Sequence, residues 1–303
     1  MIKINSTGTL QWQKTLGGTA DDRPGAVTVT SEGKIAVAGY TSSNNNGDVG
    51  TNHGTEDMWV VMLDNTNGNL LSKKSIGGNG SEMAKAITAA PDGGVFVAGT
   101  STSNNNGDVG AGKGNMDFYI LHLDKNLSIQ WKNSLGGTNL EELHALATGP
   151  GNTLVAAGSS KSSNTGDVGT GNGSEDVWVV QLNALTGSLN WQKVIGGNGI
   201  DVAKGIAIKA DGSIIVAGYS YSNNSGDVGT SKGAGDFWVM KLGTTGSISW
   251  KKLLGGDDED LGFAIAQGND GFVISGATRS HNNGDVGANH GNSDVWVVKL
   301  RED

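Results

Sequence analysis

Asparagine and aspartate return at fixed places along this 303-residue chain, and their oxygens are its most suggestive chemistry. The tetrad Gly-Asp-Val-Gly opens at Gly47, Gly107, Gly166, Gly226 and Gly284. Its aspartates are Asp48, Asp108, Asp167, Asp227 and Asp285, and two residues ahead of each tetrad stands Asn45, Asn105, Asn164, Asn224 or Asn282. A second aspartate closes each loop: Asp57, Asp117, Asp176, Asp236 and Asp294. Such oxygens suit a hard cation, and Ca2+ takes roughly 6–8 of them. The spacing is not that of an EF-hand, because Val49 follows Asp48 and no bidentate glutamate completes the set. Asn and Asp also build turns without any ion, accepting backbone N–H bonds and tolerating left-handed φ. Spacing alone leaves both readings open: a loop-structuring set, or a Ca2+ site.

A second acidic series, Asp22, Glu82, Glu141, Asp201 and Asp260, lies four residues beyond a recurrent Gly-Gly pair. Carboxylates there could gather cations or a polar ligand, or lock neighbouring glycine loops by accepting their N–H bonds. The exchange of Asp for Glu argues against strict metal geometry. Catalysis finds less support. The histidines share one repeat position, that of His53 and His290, and match no His-x-x-x-His or His-Glu-x-x-His pattern. No Gly-x-Ser-x-Gly elbow and no phosphate-binding Gly-x-x-x-x-Gly-Lys-Ser/Thr loop occurs. A catalytic constellation is needed once and would break repeat symmetry, whereas the deviations here are mild. The reading is non-enzymatic.

These side chains must be positioned by a repeat. The Gly-Gly pairs begin at Gly17, Gly77, Gly136, Gly196 and Gly255, spaced 60, 59, 60 and 59 residues. Self-similarity at such a period signals a propeller, solenoid or array. Each unit reads as four short strands, as in Gly205-Ile206-Ala207-Ile208, Ile214-Ile215-Val216-Ala217-Gly218, Trp178-Val179-Val180-Gln181-Leu182 and Leu189-Asn190-Trp191-Gln192-Lys193-Val194. No segment sustains a helical period. The predicted fold is all-β: a five-bladed β-propeller of four-stranded antiparallel blades, one domain over 1–303. Its repeats run at about 17–76, 77–135, 136–195, 196–254 and 255–300 plus 9–16. The eight tryptophans fall at two repeat positions, which predicts packing between blades. Residues 9–16 read as a lone strand four, and the last repeat stops after strand three. Pairing the two would close the ring and remove its open edge. In that ring the second acidic series forms a five-fold set near the axis. Met1, Ile2, Lys3 and Ile4 resemble the tail of a strand three and are then surplus: an edge-packed or disordered segment, or an intermolecular strand.

Composition narrows the function. Glycine numbers 51, but without a three-residue period and with only 3 prolines the chain is no collagen. Lys plus Arg is 21 against 30 for Asp plus Glu, so no nucleic-acid or anionic-lipid partner is expected. No cysteine is present, which excludes disulfides and thiolate zinc. No apolar run is long enough to cross a bilayer, so no membrane insertion is expected. No signal sequence opens the chain, so an export signal would lie outside it.

The string Ser43-Asn44-Asn45-Asn46-Gly47-Asp48-Val49-Gly50 is followed by Asn52-His53-Gly54 and Asp57-Met58-Trp59-Val60-Val61-Met62-Leu63-Asp64. With Trp131-Lys132-Asn133-Ser134-Leu135-Gly136-Gly137, it resembles the repeats of large secreted Bacteroidota proteins over residues 9–300. The resemblance implies an extracellular or cell-surface β-propeller, often type IX secretion cargo, and no particular activity. The sorting domain of such cargo does not follow Leu300 here. The expected function is a non-enzymatic scaffold or interaction module, self-assembling or binding other surface proteins. The alternative is a multivalent, lectin-like propeller that binds polysaccharide through its repeated loops.

Overall fold

The computed structural model describes residues 1–268 and 270–301; Asn269, Glu302 and Asp303 of the predicted 1–303 domain lie outside the described residues. Every regular element described is a β-strand, 21 in all. β1 (Ile2–Ile4) and β2 (Leu10–Gln13) form a two-stranded sheet. β3 (Asp22–Val29), β4 (Ile35–Thr41), β5 (Asp57–Leu63) and β6 (Leu70–Ile76) form the first four-stranded blade. The second holds β7 (Glu82–Ala89), β8 (Val95–Ser101), β9 (Asp117–Leu123) and β10 (Ile129–Leu135). The third holds β11 (Glu141–Gly149), β12 (Thr153–Ser160), β13 (Asp176–Asn183) and β14 (Leu189–Ile195). The fourth holds β15 (Asp201–Ile208), β16 (Ile214–Ser220), β17 (Asp236–Leu242) and β18 (Ile248–Leu254). The fifth has three strands, β19 (Asp260–Gly268), β20 (Gly271–Thr278) and β21 (Asp294–Arg301). All pairings within these sheets are antiparallel. An all-β propeller of about five blades is what the sequence predicts.

Local chemistry explains the strands. The second and third strands of each complete blade are Val-, Ile-, Ala- and aromatic-rich, and nearly every residue is buried, because both faces meet apolar neighbours. The fourth strands alternate, as in β6, where Leu71 and Lys73 are exposed between half-buried Leu70, Ser72 and Lys74, so one side meets water. The hairpin between strands one and two turns on Gly212 (φ +82°), which an L side chain would strain, and Asp211 Oδ1 accepts the Ser213 N–H at 2.9 Å.

The chain divides into two compact units, Met1–Leu135 and Gly136–Asp303. In the first unit, Met58, Val60 and Met62 of β5 pack with Val95, Val97 and Leu121 of the second blade. A second cluster sets Trp12 and Leu16 against Ile35, Val37, Trp59 and Val61 of the first blade. In the second unit, Val177 and Val179 pack with Ile214, Val216 and Trp238 of the fourth blade. Phe237 and Val239 pack in turn with Phe272, Ile274 and Trp296 of the fifth, the Phe237 and Trp296 rings 4.5 Å apart. Trp191, Trp238, Trp250 and Trp296 thus lie in clusters that join neighbouring blades, as expected.

The strand expected to close the ring is corrected. Leu10–Gln13 pairs with Ile2–Ile4, while the fifth blade keeps three strands. Lys3 faces Trp12 and Ile4 faces Leu10 across a register shift. In the fourth blade Lys241 faces Trp250 and Leu242 faces Ile248 across the same shift. Met1–Ile4 is therefore not surplus: it occupies a strand-three place. The reason is proximity, since a five-residue connection costs far less closure entropy than one spanning the chain. Asn5 Oδ1 fixes the connection by accepting the Thr7 and Thr9 N–H groups at 3.0 and 2.8 Å.

Candidate functional site

The two sequence motifs of each repeat meet. Asp48 donates its N–H to the Gly17 carbonyl at 2.9 Å, and the Gly17 N–H points back to Asp48 Oδ2 at 3.4 Å. The same two-way clip joins Asp167 to Gly136, Asp227 to Gly196 and Asp285 to Gly255, and the Asp108 N–H binds the Gly77 carbonyl. Gly47 sits at φ +55°, and a Cβ there would run into the Gly17 carbonyl. Val49, Val109, Val168, Val228 and Val286 plug the loop from below, all buried. Asn45, Asn105, Asn164, Asn224 and Asn282 each take a left-handed φ between 47° and 53°, a conformation asparagine tolerates. Three of them accept a threonine hydroxyl, as Asn164 Oδ1 does from Thr170 at 2.9 Å.

The second acidic series serves its own repeat. Asp22, Glu82, Glu141, Asp201 and Asp260 each accept the N–H of the second glycine of their Gly-Gly pair, at 2.6–2.7 Å. Hydroxyls from the end of strand two supply further donors, Ser101 to Glu82 at 2.7 Å and Ser160 to Glu141 at 2.8 Å. All but the half-buried Asp22 are buried. Their backbone reaches the preceding blade: Glu82, Asp201 and Asp260 donate N–H bonds to the carbonyls of Glu56, Glu175 and Gly235.

The aspartates at the start of strand three are divided. Oδ2 of Asp57, Asp176 and Asp236 accepts loop N–H groups from His53, Asn172 and Lys232, at 2.8–3.0 Å. Lys113 donates likewise to Asp117, and His290 to Asp294. Oδ1 of Asp57, Asp176 and Asp236 is buried with no hydrogen-bond partner. It faces the next repeat: a Cβ on Gly255 would collide with Asp236 Oδ1 and stand 2.8 Å from Asp260 Oδ2. The same crowding surrounds Gly77, from Asp57 and Glu82, and Gly196, from Asp176 and Asp201. Burial pushes the Asp57, Asp176 and Asp236 carboxyls above their ordinary range, and the charges of Glu82, Asp201 and Asp260 add to the rise. Burial raises Asp201 as well, against its Ser220 and Gly197 donors.

Two recurrent residues carry these loops without standing out in the sequence. Ser43, Ser103, Ser162, Ser222 and Ser280 are buried, and each hydroxyl accepts an N–H from the Gly-Gly loop, as from Gly80 at 2.8 Å. Asn46, Asn106, Thr165, Ser225 and Asn283 do the same one turn later. The serine is invariant across all five repeats, a signal readable from alignment of the repeats on Gly-Asp.

Chemically the arrangement is a lattice of acceptors for backbone N–H groups, with buried carboxylates of successive repeats facing one another. Among the described residues no three His, Cys, Asp or Glu side chains group as a metal centre requires. His53 and His290 each lie beside the aspartate four residues on, at 2.9 and 3.3 Å.

No family model matches the chain, and no curated protein matches it. Among solved structures it is similar to the WD40 domain of Neurospora crassa Pan2, at 11% identity and a TM-score of 0.51, over 91% of this chain and 62% of that one. It is similar also to a protein of unknown function from Dyadobacter fermentans, at 11% identity and a TM-score of 0.51, over 94% of this chain and 81% of that one. The shared feature is the β-propeller. At this identity the likeness concerns the fold alone, and the chain spans less than two thirds of the Pan2 domain.

Proposed function

We propose that this chain is a non-enzymatic β-propeller module that works outside the cell by binding protein, further copies of itself included. The observation that carries this reading is where its apolar surface lies. The second acidic series of the repeated loops is engaged by backbone N–H groups of its own repeat, which supports a structural role for it. Among the exposed large apolar side chains are Val27 and Val29 on the first blade and Phe263, Val295 and Val297 on the fifth. Contiguous exposed apolar surface marks interaction sites. The motif resemblance to secreted Bacteroidota repeat proteins supports an exterior location. Sedimentation velocity over a hundredfold concentration range tests the reading. Mass-action growth of an oligomer is expected; a monomer throughout, together with no binding to a panel of cell-surface proteins, would refute it.

A further inference from the structure

The blades share one backbone frame, and residues that differ among them meet where that frame repeats. The residue after strand two donates its N–H to the residue before strand one: Thr102 to Ser81, Tyr221 to Ile200 and Arg279 to Glu259, at 2.8–3.0 Å. The residue before strand three of the preceding blade lies alongside, Glu56 by Ser81, Glu175 by Ile200 and Gly235 by Glu259. The backbone contacts recur while the side chains change. The position of Tyr221 holds Ser42, Thr102, Lys161 or Arg279 elsewhere, and that of Gly235 holds Glu56, Met116, Glu175 or Ser293. Positions that vary on a fixed frame are where a repeat fold sets what it binds.

Inside the second unit these positions build a seat for an aromatic ring. Tyr221 lies against Gly235, where a Cβ would stand 2.9 Å from the ring, so the glycine is what admits it. The Tyr221 hydroxyl donates to Glu259 Oε1, and Arg279 holds the other oxygen of that carboxylate at 2.9 Å. Tyr219 meets the same ring edge-on, with centroids 5.8 Å apart and planes at 86°. Lys204 Nζ stands 5.8 Å from the Tyr219 centroid and donates to His144 Nε2 at 3.0 Å. Held by Gly235, by Tyr219 and through its hydroxyl, Tyr221 is still 37% exposed: a rigid ring that meets water.

Polar groups surround the two rings. Burial pushes the Tyr219 phenol up, and the charges of Glu175, Glu142 and Glu259 add to the rise, so it keeps its proton and can donate as well as accept. Lys161 lies 3.5 Å from Glu175, and the exposed Glu142 lies 3.9 Å from His144. Lys161, Lys204 and Arg279 balance the three carboxylates, so the cluster offers no net field to a highly charged polymer. A ring flanked by both donors and acceptors suits a sugar. The C–H face of a pyranose covers the aromatic ring, while its hydroxyls, each donor and acceptor, bond carboxylates and phenol. We propose that Tyr221, seated on Gly235, is the stacking platform of a site for neutral polysaccharide, with Tyr219 and the carboxylates around it bonding the sugar hydroxyls. The site occurs once and uses none of the Asn and Asp residues of the repeated loops. It adds a ligand class to the protein-binding reading above and does not depend on it.

Affinity electrophoresis of the full chain in native gels cast with dextran, laminarin, xylan or galactomannan tests the site. Retardation by one or more of these polymers is expected, with affinity falling about tenfold in Tyr221→Ala, as loss of a stacked ring predicts. Gly235→Ala keeps every polar group but pushes Tyr221 off its seat, and is expected to weaken binding several-fold. Tyr221→Phe keeps the ring and is expected to restore most of what Tyr221→Ala loses, which separates stacking from a folding defect. No retardation in any gel overturns the proposal. Retardation that Tyr221→Ala and Gly235→Ala leave unchanged puts the sugar elsewhere and overturns it as well. Self-association that falls in Tyr221→Ala, with no polysaccharide bound by wild type, makes the ring a protein contact and overturns the saccharide site.

Discussion

Val239 and Val297 are the same residue at the same repeat position, one fully buried and the other 58% exposed. Val239 sits in β17 with the fifth blade over it; Val297 sits in β21, the last strand. The acidic positions differ in the same way. Asp236 and Asp260 crowd Gly255 at the junction, while Asp22 is half-buried and Asp294 is 31% exposed. Each repeat thus writes the same two faces, and the neighbouring blade decides whether they are buried. In a repeat protein this separates two quantities usually entangled, the stability of a unit and the stability of its interface.

Substituting aspartate at both valines breaks the comparison most sharply. Val239→Asp places a carboxylate in a dry junction without donors and is expected to cost more than about 4 kcal/mol, enough to unfold much of the unit. Val297→Asp is expected to stay within about 0.5 kcal/mol of wild type in monomer stability, since its side chain already meets water. Urea denaturation of both variants checks this. Equal losses would mean that Val297 is covered in solution.

Glycine gives the next contrast. A Cβ on Gly255 collides with Asp236 and crowds Asp260, so Gly255→Ala is expected to cost about 1–3 kcal/mol by overpacking the junction. Gly287 has nothing within 4 Å, and Gly287→Ala is expected to be neutral or to stabilise by up to about 1 kcal/mol through the unfolded chain. Thermal melting separates them. A harmless Gly255→Ala would show that the carboxylates can move aside.

Most of the architecture was legible because its signals are local and repeated five times. Val-Trp runs such as Asp176–Asn183, the Asp211-Gly212 turn and the left-handed asparagines follow from side-chain chemistry at single positions. The site was legible in its parts and not in its contacts. Asp236 and Gly255 lie 19 residues apart on opposite sides of a hairpin, and no spacing rule reveals that they meet. The Ser43 series does not stand out in the sequence, because serine is common in loops and its hydroxyl accepts a distant N–H. The pairing of Leu10–Gln13 is not legible in sequence because β2 matches two strand-three sequences, and loop length chooses between them.

The junction carboxylates yield a pH dependence. Burial raises the folded-state pKa of Asp236 above its ordinary 3.8. The stabilisation from its bound proton is therefore complete below the ordinary value and is lost as pH climbs through the raised one. Asp236→Asn stays neutral and can donate from its amide toward Asp260, whose Oδ1 has no partner. The variant is expected to exceed wild type by about 1 kcal/mol at neutral pH, with the gain shrinking toward about pH 3. Asp294→Asn, whose carboxyl is already 31% exposed, is expected to show no gain. A melting-temperature difference that is flat with pH, or equal at both sites, would remove the like-charge account of the junction.

Calcium is the gentlest probe and treats all five loops alike. If Asn45, Asp48 and Asp57 and their counterparts were Ca2+ ligands, the fifth blade would respond as the inner ones do, because its Asp285–Gly255 clip has the same geometry. The oxygens, however, already accept N–H groups: Asp285 Oδ2 from Gly255 at 3.2 Å, Asp236 Oδ2 from Lys232 at 2.9 Å. Ligation would compete with these bonds inside turns built around Gly284 at +57°. Stabilisation by a ligand grows as the logarithm of its concentration over its dissociation constant, so weak binding at 1 mM leaves the melting temperature within about 1 °C. EDTA and 1 mM Ca2+ are expected to give superimposable melts. A rise of several degrees with Ca2+, abolished by Asp227→Asn, would instead make the loops cation sites and place the junction clips second to an ion.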